Sequence, residues 1–136
     1  MTKTYEIKMK VPFHDLDPVH IVWHGNYFKY FDMARFGLFE DAGIDLYGYS
    51  LTDQYIFPVT KTSIKYIRPL RHNDEFICLA TVTEAKYKIA MEFEIRLVEG
   101  GTLCARGKSE QLAVKLPDTE LEFEIPDEIR KALESE

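Results

Sequence analysis

Hydrophobic and polar positions alternate from the start of the chain: Ile7, Met9, Val11 and Phe13 fall on one side of residues 5–13, and Glu6, Lys8 and Lys10 on the other. That period of two predicts a half-buried strand, and Pro12 puts it at an edge or a strand end. After a polar stretch, His14-Asp15-Leu16-Asp17-Pro18, the period lengthens, and a helix is predicted from Gly25 or Asn26 to Ala42, stopped by Gly43. Tyr27, Tyr30, Phe31, Ala34, Leu38 and Ala42 share one side of it, flanked by Phe28, Arg35 and Phe39, with Lys29, Asp32 and Glu40 opposite. So wide an apolar sector predicts a helix covered over much of its circumference. Residues 44–55, with Gly48, Ser50 and Asp53, read as a loop. Four β-rich segments follow: 57–67, ending at Arg68-Pro69; 75–85; 89–97, the most regular alternation; and 102–116, reached through a turn at Glu99-Gly100-Gly101. Pro126 predicts the first turn of a short C-terminal helix, with Asp127 and Glu128 near its positive end.

This order predicts an α+β domain spanning residues 1–136, with one antiparallel sheet of about five strands wrapped around one long helix and the last four strands in meander-like succession. Such a sheet leaves an edge and an outer face open, which self-association would cover.

Composition and charge narrow the classes. At 136 residues and 46% hydrophobic content, the chain can bury enough surface to fold without disulfides or metal. No apolar run approaches the ~18 residues of a membrane helix, and residues 1–8 turn charged at once, so a cytoplasmic protein without membrane association is expected. Cys78 and Cys104 lie far apart in strand-like segments and read as core residues. A net charge of −6 argues against nucleic acid as a partner. Within 59–108, however, nine Lys and Arg stand against six acids. That local excess fits either a cationic patch for a phosphorylated ligand or solvated strand faces.

Candidate chemistry concentrates in residues 13–27, which hold two carboxylates and three histidines. Asp17 precedes the apolar run Ile21-Val22-Trp23 that leads into the long helix. Its carboxylate is therefore expected near the helix start, where unpaired N–H groups can hold a developing oxyanion. A carboxylate beside an oxyanion site is the minimum equipment for acyl-group hydrolysis. Asp15 reads as a turn or capping acid. His20 and His24 have the i, i+4 spacing of a metal pair, but that pairing needs a helix through a β-branched run followed by Gly25.

The motif Asp15-x-Asp17-Pro18-x-x-Ile21-Val22-Trp23-His24-x-Asn26-Tyr27 closely resembles the signature of the hotdog-fold acyl-CoA thioesterases of the 4-hydroxybenzoyl-CoA thioesterase-like family. The segment Tyr66-Ile67-Arg68-Pro69-Leu70-Arg71-His72-Asn73-Asp74 resembles that family's second recurrent segment. The resemblance implies a hotdog fold and hydrolysis of an acyl-CoA thioester to free acid and coenzyme A. Asp17 would be nucleophile or general base, and the backbone N–H of His24 the oxyanion donor. Asn26 and Tyr27, counted with the substrate-binding residues, would cap, orient and pack rather than react. Lys86 and Lys88, with Arg68 and Arg71 as further cations, would meet the coenzyme A moiety. It also implies a homodimer or homotetramer with sites at subunit interfaces, and no metal, prosthetic group or other cofactor beyond the coenzyme A of the substrate. His20 departs from the family, standing where glycine is usual. A non-catalytic acyl-CoA or small-aromatic binding protein is the rival reading if His20 spoils the turn, and a metal-dependent hydrolase is another. The acyl group is not specified by the motif.

Overall fold

In the computed structural model, which describes residues 3–134, the alternating start of the chain forms β1 (Thr4–Lys10). Its Tyr5, Ile7 and Met9 pack on the core. The long helix α1 (Asn26–Asp41) follows and ends where Gly43 takes φ = 77°, a left-handed turn that glycine makes without steric cost. Tyr27, Tyr30, Phe31, Ala34, Arg35, Leu38 and Phe39 of α1 are buried. The Phe31 ring stacks on Phe93 at 4.6 Å, and a Cβ on Gly107 would strike that ring, so the glycine lets helix and sheet approach closely.

The strands β3 (Val59–Tyr66), β4 (Glu75–Glu84), β5 (Ile89–Leu97) and β6 (Leu103–Gln111) complete the sheet, in the order β1-β4-β5-β6-β3. The expected meander holds for β4, β5 and β6. It fails for β3, which pairs with β6 at the far edge because β1 occupies the free side of β4. The 67–74 connection therefore has to cross from one end of the sheet to the other, and it carries the buried Leu70 past the start of α1.

Two expectations need correction. The 44–55 stretch is not loop throughout: it holds α2 (Leu46–Thr52) and β2 (Tyr55–Ile56). Asp45 caps α2 by accepting the Gly48 N–H at 3.0 Å, and Tyr49 packs its ring 5.9 Å from Tyr55 and 6.1 Å from Phe57. Tertiary packing thus overrides the weak helix propensity of Gly48 and Ser50. The fourth late segment is also interrupted: β6 ends at Gln111, and β7 (Val114–Lys115) joins β2 and β8 (Glu120–Leu121) in a second, three-stranded sheet. The C-terminal helix α3 (Asp127–Glu134) starts directly after Pro126 and buries Ile129 and Leu133.

The segment joining β1 to α1 is built around Asp15, which is 2% exposed. Its carboxylate accepts Lys29 Nζ and Tyr30 Oη, each at 2.6 Å. Its carbonyl accepts the Trp23 N–H at 3.0 Å and Asn26 Nδ2 at 2.9 Å. Both ends of the 15–23 loop are thereby fastened to the first turns of α1. Burial alone would push the Asp15 carboxyl up, but the hydrogen bonds from Lys29 and Tyr30, with the Lys29 charge, hold it below its ordinary value. Burial and the Asp15 carboxylate in turn push the Tyr30 hydroxyl far up, keeping it protonated as a donor.

Between Leu16 and Val22, which pair as a bridge, the chain reverses through Pro18, Val19 and His20. Asp17 N–H donates to the Ile21 carbonyl at 2.8 Å and His20 N–H to the Asp17 carbonyl at 3.0 Å. A three-residue reversal of this kind ends on a left-handed residue, and His20 takes φ = 65°. That explains why glycine suits this position. Histidine is among the few other residues that enter the region readily, and its exposed side chain leaves the turn intact.

Two measurements test this account. Asp15→Asn is expected to lower stability by about 1–3 kcal/mol near neutral pH. Because the folded-state carboxyl titrates below its unfolded value, the contribution is present above about pH 4 and is lost as pH falls through the folded value. The wild-type advantage in urea titrations should therefore shrink on acidification. His20→Gly relieves roughly 1–2 kcal/mol of left-handed cost and returns roughly 0.5–1 kcal/mol as chain entropy. It should be slightly stabilising, and a clear loss of stability would show that the imidazole makes a contact the turn needs.

Candidate active site

A crevice of about 270 Å³ opens where the 15–23 loop, the first turn of α1 and the end of β3 meet, lined by Asp17, Ile21, Val22, His24, Tyr27, Tyr66, Ile67, Arg68 and Pro69. Asp17, His24 and Tyr27, singled out from the sequence, thus come together around one space. Each arrives from a different piece of local structure. Asp17 opens the reversal described above, and its Oδ1 accepts the N–H of Val19 at 2.9 Å and of Ile21 at 3.4 Å. Those bonds fix the carboxylate's orientation and leave Oδ2 without a hydrogen bond from any described residue.

His24 stands just before the helix. Its carbonyl accepts Tyr66 Oη at 2.7 Å and the Tyr27 N–H at 3.4 Å, while the Trp23 carbonyl accepts the Asn26 N–H at 2.9 Å. The first two helical N–H groups are therefore occupied. Among the described residues, the N–H groups of His24 and Gly25 donate to no acceptor. Because the peptide is trans, the His24 N–H points away from the Trp23 carbonyl and the helix it engages. Tyr27, 2% exposed, accepts the Leu70 N–H at 3.1 Å on its hydroxyl and sets its ring 5.0 Å from Tyr66; burial pushes its hydroxyl pKa up.

Asn26 is next to the crevice in sequence but directs its amide to the Asp15 carbonyl, a tie within the loop. Lys86 and Lys88 do not line the crevice of this chain. Lys86 lies 5.1 Å from the Tyr87 ring, and Lys88 pairs with Glu110 at 3.0 Å. The basic excess of residues 59–108 falls partly on the outer sheet face, in a concavity of about 660 Å³. There Arg106 and Lys108 sit in register with Glu94 and Glu92, an arrangement of solvated, laterally paired charges. His20 and His24 are joined by turn and bridge rather than a helix, so they do not form an i, i+4 face.

Tyr66 and Ile67 are site residues that the sequence reading did not assign. The signal was present in the segment ending Arg68-Pro69. Ile67 N–H and Arg68 N–H both donate to the Cys104 carbonyl, at 2.9 and 3.0 Å. Two residues set against one make a β-bulge, which bends a strand and re-aims its side chains. A regular strand sends alternate side chains to opposite faces, yet here Tyr66, Ile67, Arg68 and Pro69 in succession line the same crevice.

Comparison with known proteins agrees with this construction. The structure of a 1,4-dihydroxy-2-naphthoyl-CoA thioesterase from Synechocystis superposes with a TM-score of 0.89, at 19% identity over 96% of each chain. That of 4-hydroxybenzoyl-CoA thioesterase from Pseudomonas gives a TM-score of 0.82, at 16% identity over 95% of this chain and 98% of that one. At such identities the likeness establishes the fold, which is the hotdog fold. A Synechocystis protein provisionally named as an esterase is 26% identical over 114 residues, covering 82% of this chain and 68% of the relative. The family model of the thioesterase-like superfamily matches residues 11–133, almost the whole described chain, and the protein belongs to that superfamily.

Proposed function

We propose that the protein is an acyl-CoA thioesterase, cleaving an acyl-CoA to free acid and coenzyme A with Asp17 as the catalytic carboxylate. The observation that carries the reading is the half-tethered state of Asp17: one oxygen is held by its own turn, the other accepts no hydrogen bond from a described residue, and the residue lines one crevice with His24, whose backbone N–H donates to no described acceptor. The thioesterases among its structural relatives and the superfamily match support the reaction class.

Two routes use the same geometry. In one, Asp17 Oδ2 attacks the thioester carbonyl carbon, the C–S bond breaks with its electron pair going to sulfur, and water then opens the resulting anhydride. In the other, Asp17 takes a proton from a water whose oxygen forms the new C–O bond, and the thiolate leaves as coenzyme A. In both, negative charge develops on the carbonyl oxygen, and the His24 N–H is the donor assigned to it. The His24 imidazole, set 5.2 Å from the Trp23 ring, contributes a hydrogen bond or a proton at the mouth of the crevice. Asn26 keeps the loop in register, and Tyr27 forms the floor against which the acyl group packs. Lys86 and Lys88 would reach coenzyme A phosphates only across a subunit boundary. The reading therefore includes a cytoplasmic homodimer or homotetramer, with each chain contributing one catalytic domain and no metal or other cofactor.

Asp17→Asn separates the chemistry from the fold, since the amide oxygen can still accept the Val19 N–H but the side chain can neither take a proton nor form an anhydride. Its kcat for acyl-CoA hydrolysis, followed by thiol release, should fall by roughly 10²–10⁴-fold while thermal midpoint and oligomeric state stay at wild-type values. Wild-type turnover by the folded variant would overturn the assignment.

A further inference from the structure

Resting on the thioesterase reading, the chemistry of the crevice lining bears on which acyl group it takes. Its walls are mainly apolar, from Ile21, Val22, Ile67, Pro69 and the rings of Tyr27 and Tyr66, and Arg68 is its one Lys or Arg lining residue. Arg68 forms no ion pair and no side-chain hydrogen bond among the described residues. Its position is imposed by backbone: the bulge at the Cys104 carbonyl holds the Ile67 and Arg68 N–H groups together, and Pro69 follows to fix the end of the strand. A residue that regular alternation would send to the opposite face from Ile67 thus shares its crevice.

Arg68 is exposed, so its guanidinium is hydrated in the free protein and is available to an anionic group that enters the crevice. The phosphates of coenzyme A are poorly placed to supply it, because the whole pantetheine arm separates them from the thioester, and Arg68 shares a crevice of only about 270 Å³ with the proposed attacking carboxylate. The carbonyl oxygen already has the open His24 N–H. What remains is the acyl group itself. We propose that Arg68 is a specificity-determining residue that pairs with a carboxylate on the acyl chain, so that the preferred substrate is the coenzyme A thioester of a short dicarboxylic acid. The planar fork of arginine matches a carboxylate in two parallel hydrogen bonds, and its charge offsets the repulsion that Asp17 would otherwise exert on a second anion in the same crevice. Because Arg68 and Asp17 line one crevice, a carboxylate paired with Arg68 lies only a short chain away from the thioester carbon.

Glutaryl-CoA and pentanoyl-CoA, equal in chain length and differing at the terminal carboxylate, are the probes. The wild-type protein should favour glutaryl-CoA in kcat/KM by at least about tenfold, the scale of one charge-assisted pair. Arg68→Gln should cut the glutaryl-to-pentanoyl ratio by roughly 10–100-fold, with Arg68→Lys falling between. A ratio unchanged by Arg68→Gln, or a wild-type preference for pentanoyl-CoA, would overturn the proposal. Calorimetric binding of both esters to Asp17→Asn, alone and combined with Arg68→Gln, separates it from the thioesterase reading. Arg68-dependent selectivity in binding without wild-type turnover would sink hydrolysis and keep Arg68; turnover without that selectivity would do the reverse.

Discussion

A carboxylate removed from water persists in a fold only where donors surround it, and Asp15 has them on both its side chain and its carbonyl. Lys29 and Tyr30 come from the second turn's worth of α1, Asn26 from its first residue and Trp23 from the far end of the loop. Those contacts convert a flexible connection into a rigid arch over the helix start. Every other feature of the site presupposes that arch: the reversal at residues 17–20, the exposed edge of the His24 peptide, and the gap into which the end of β3 fits.

Asp15 and Asp17 stand two residues apart and do opposite work because their surroundings differ. Asp15 is enclosed, charged and saturated with hydrogen bonds, so both of its oxygens are committed. Asp17 is half-buried in the crevice lining, with one oxygen tied by its own turn and one that accepts no hydrogen bond from a described residue. Chemistry needs the second state and architecture the first. The short spacing is efficient because the rigid acid fixes the backbone from which the half-tethered one projects. His20 belongs to the same economy, since its left-handed conformation closes the reversal that aims Asp17.

The other wall is made by an irregularity. A strand that alternated to its end would have turned either Ile67 or Arg68 away from Asp17. The bulge at Cys104 and the proline after it gather four consecutive side chains into the crevice, and Tyr66 reaches on to the His24 carbonyl. The wall and the arch thus hold one another, through a hydrogen bond between residues 42 positions apart in sequence.

The helix, its stop at Gly43, the alternating strands and the C-terminal helix were legible in the sequence, because period and punctuation are local properties that burial on one face imposes directly. The gathering of Asp17 and His24 at the entrance to the helix was legible too, through a dense polar motif ahead of an apolar run. The α2 turn was not, since it is held by the packing of Tyr49 on the Tyr55 and Phe57 rings beyond the helix rather than by helix propensity. Nor was the order of the strands: the pattern of β3 reads the same beside β4 as beside β6, and only the occupation of β4 by β1 decides between them. The sequence alone marked Arg68 as a cation and Asp15 as a turn acid. Tertiary structure decided that the first faces the crevice and the second is buried, because a bulge and a clamp are made by backbone groups and partners that lie far apart along the chain.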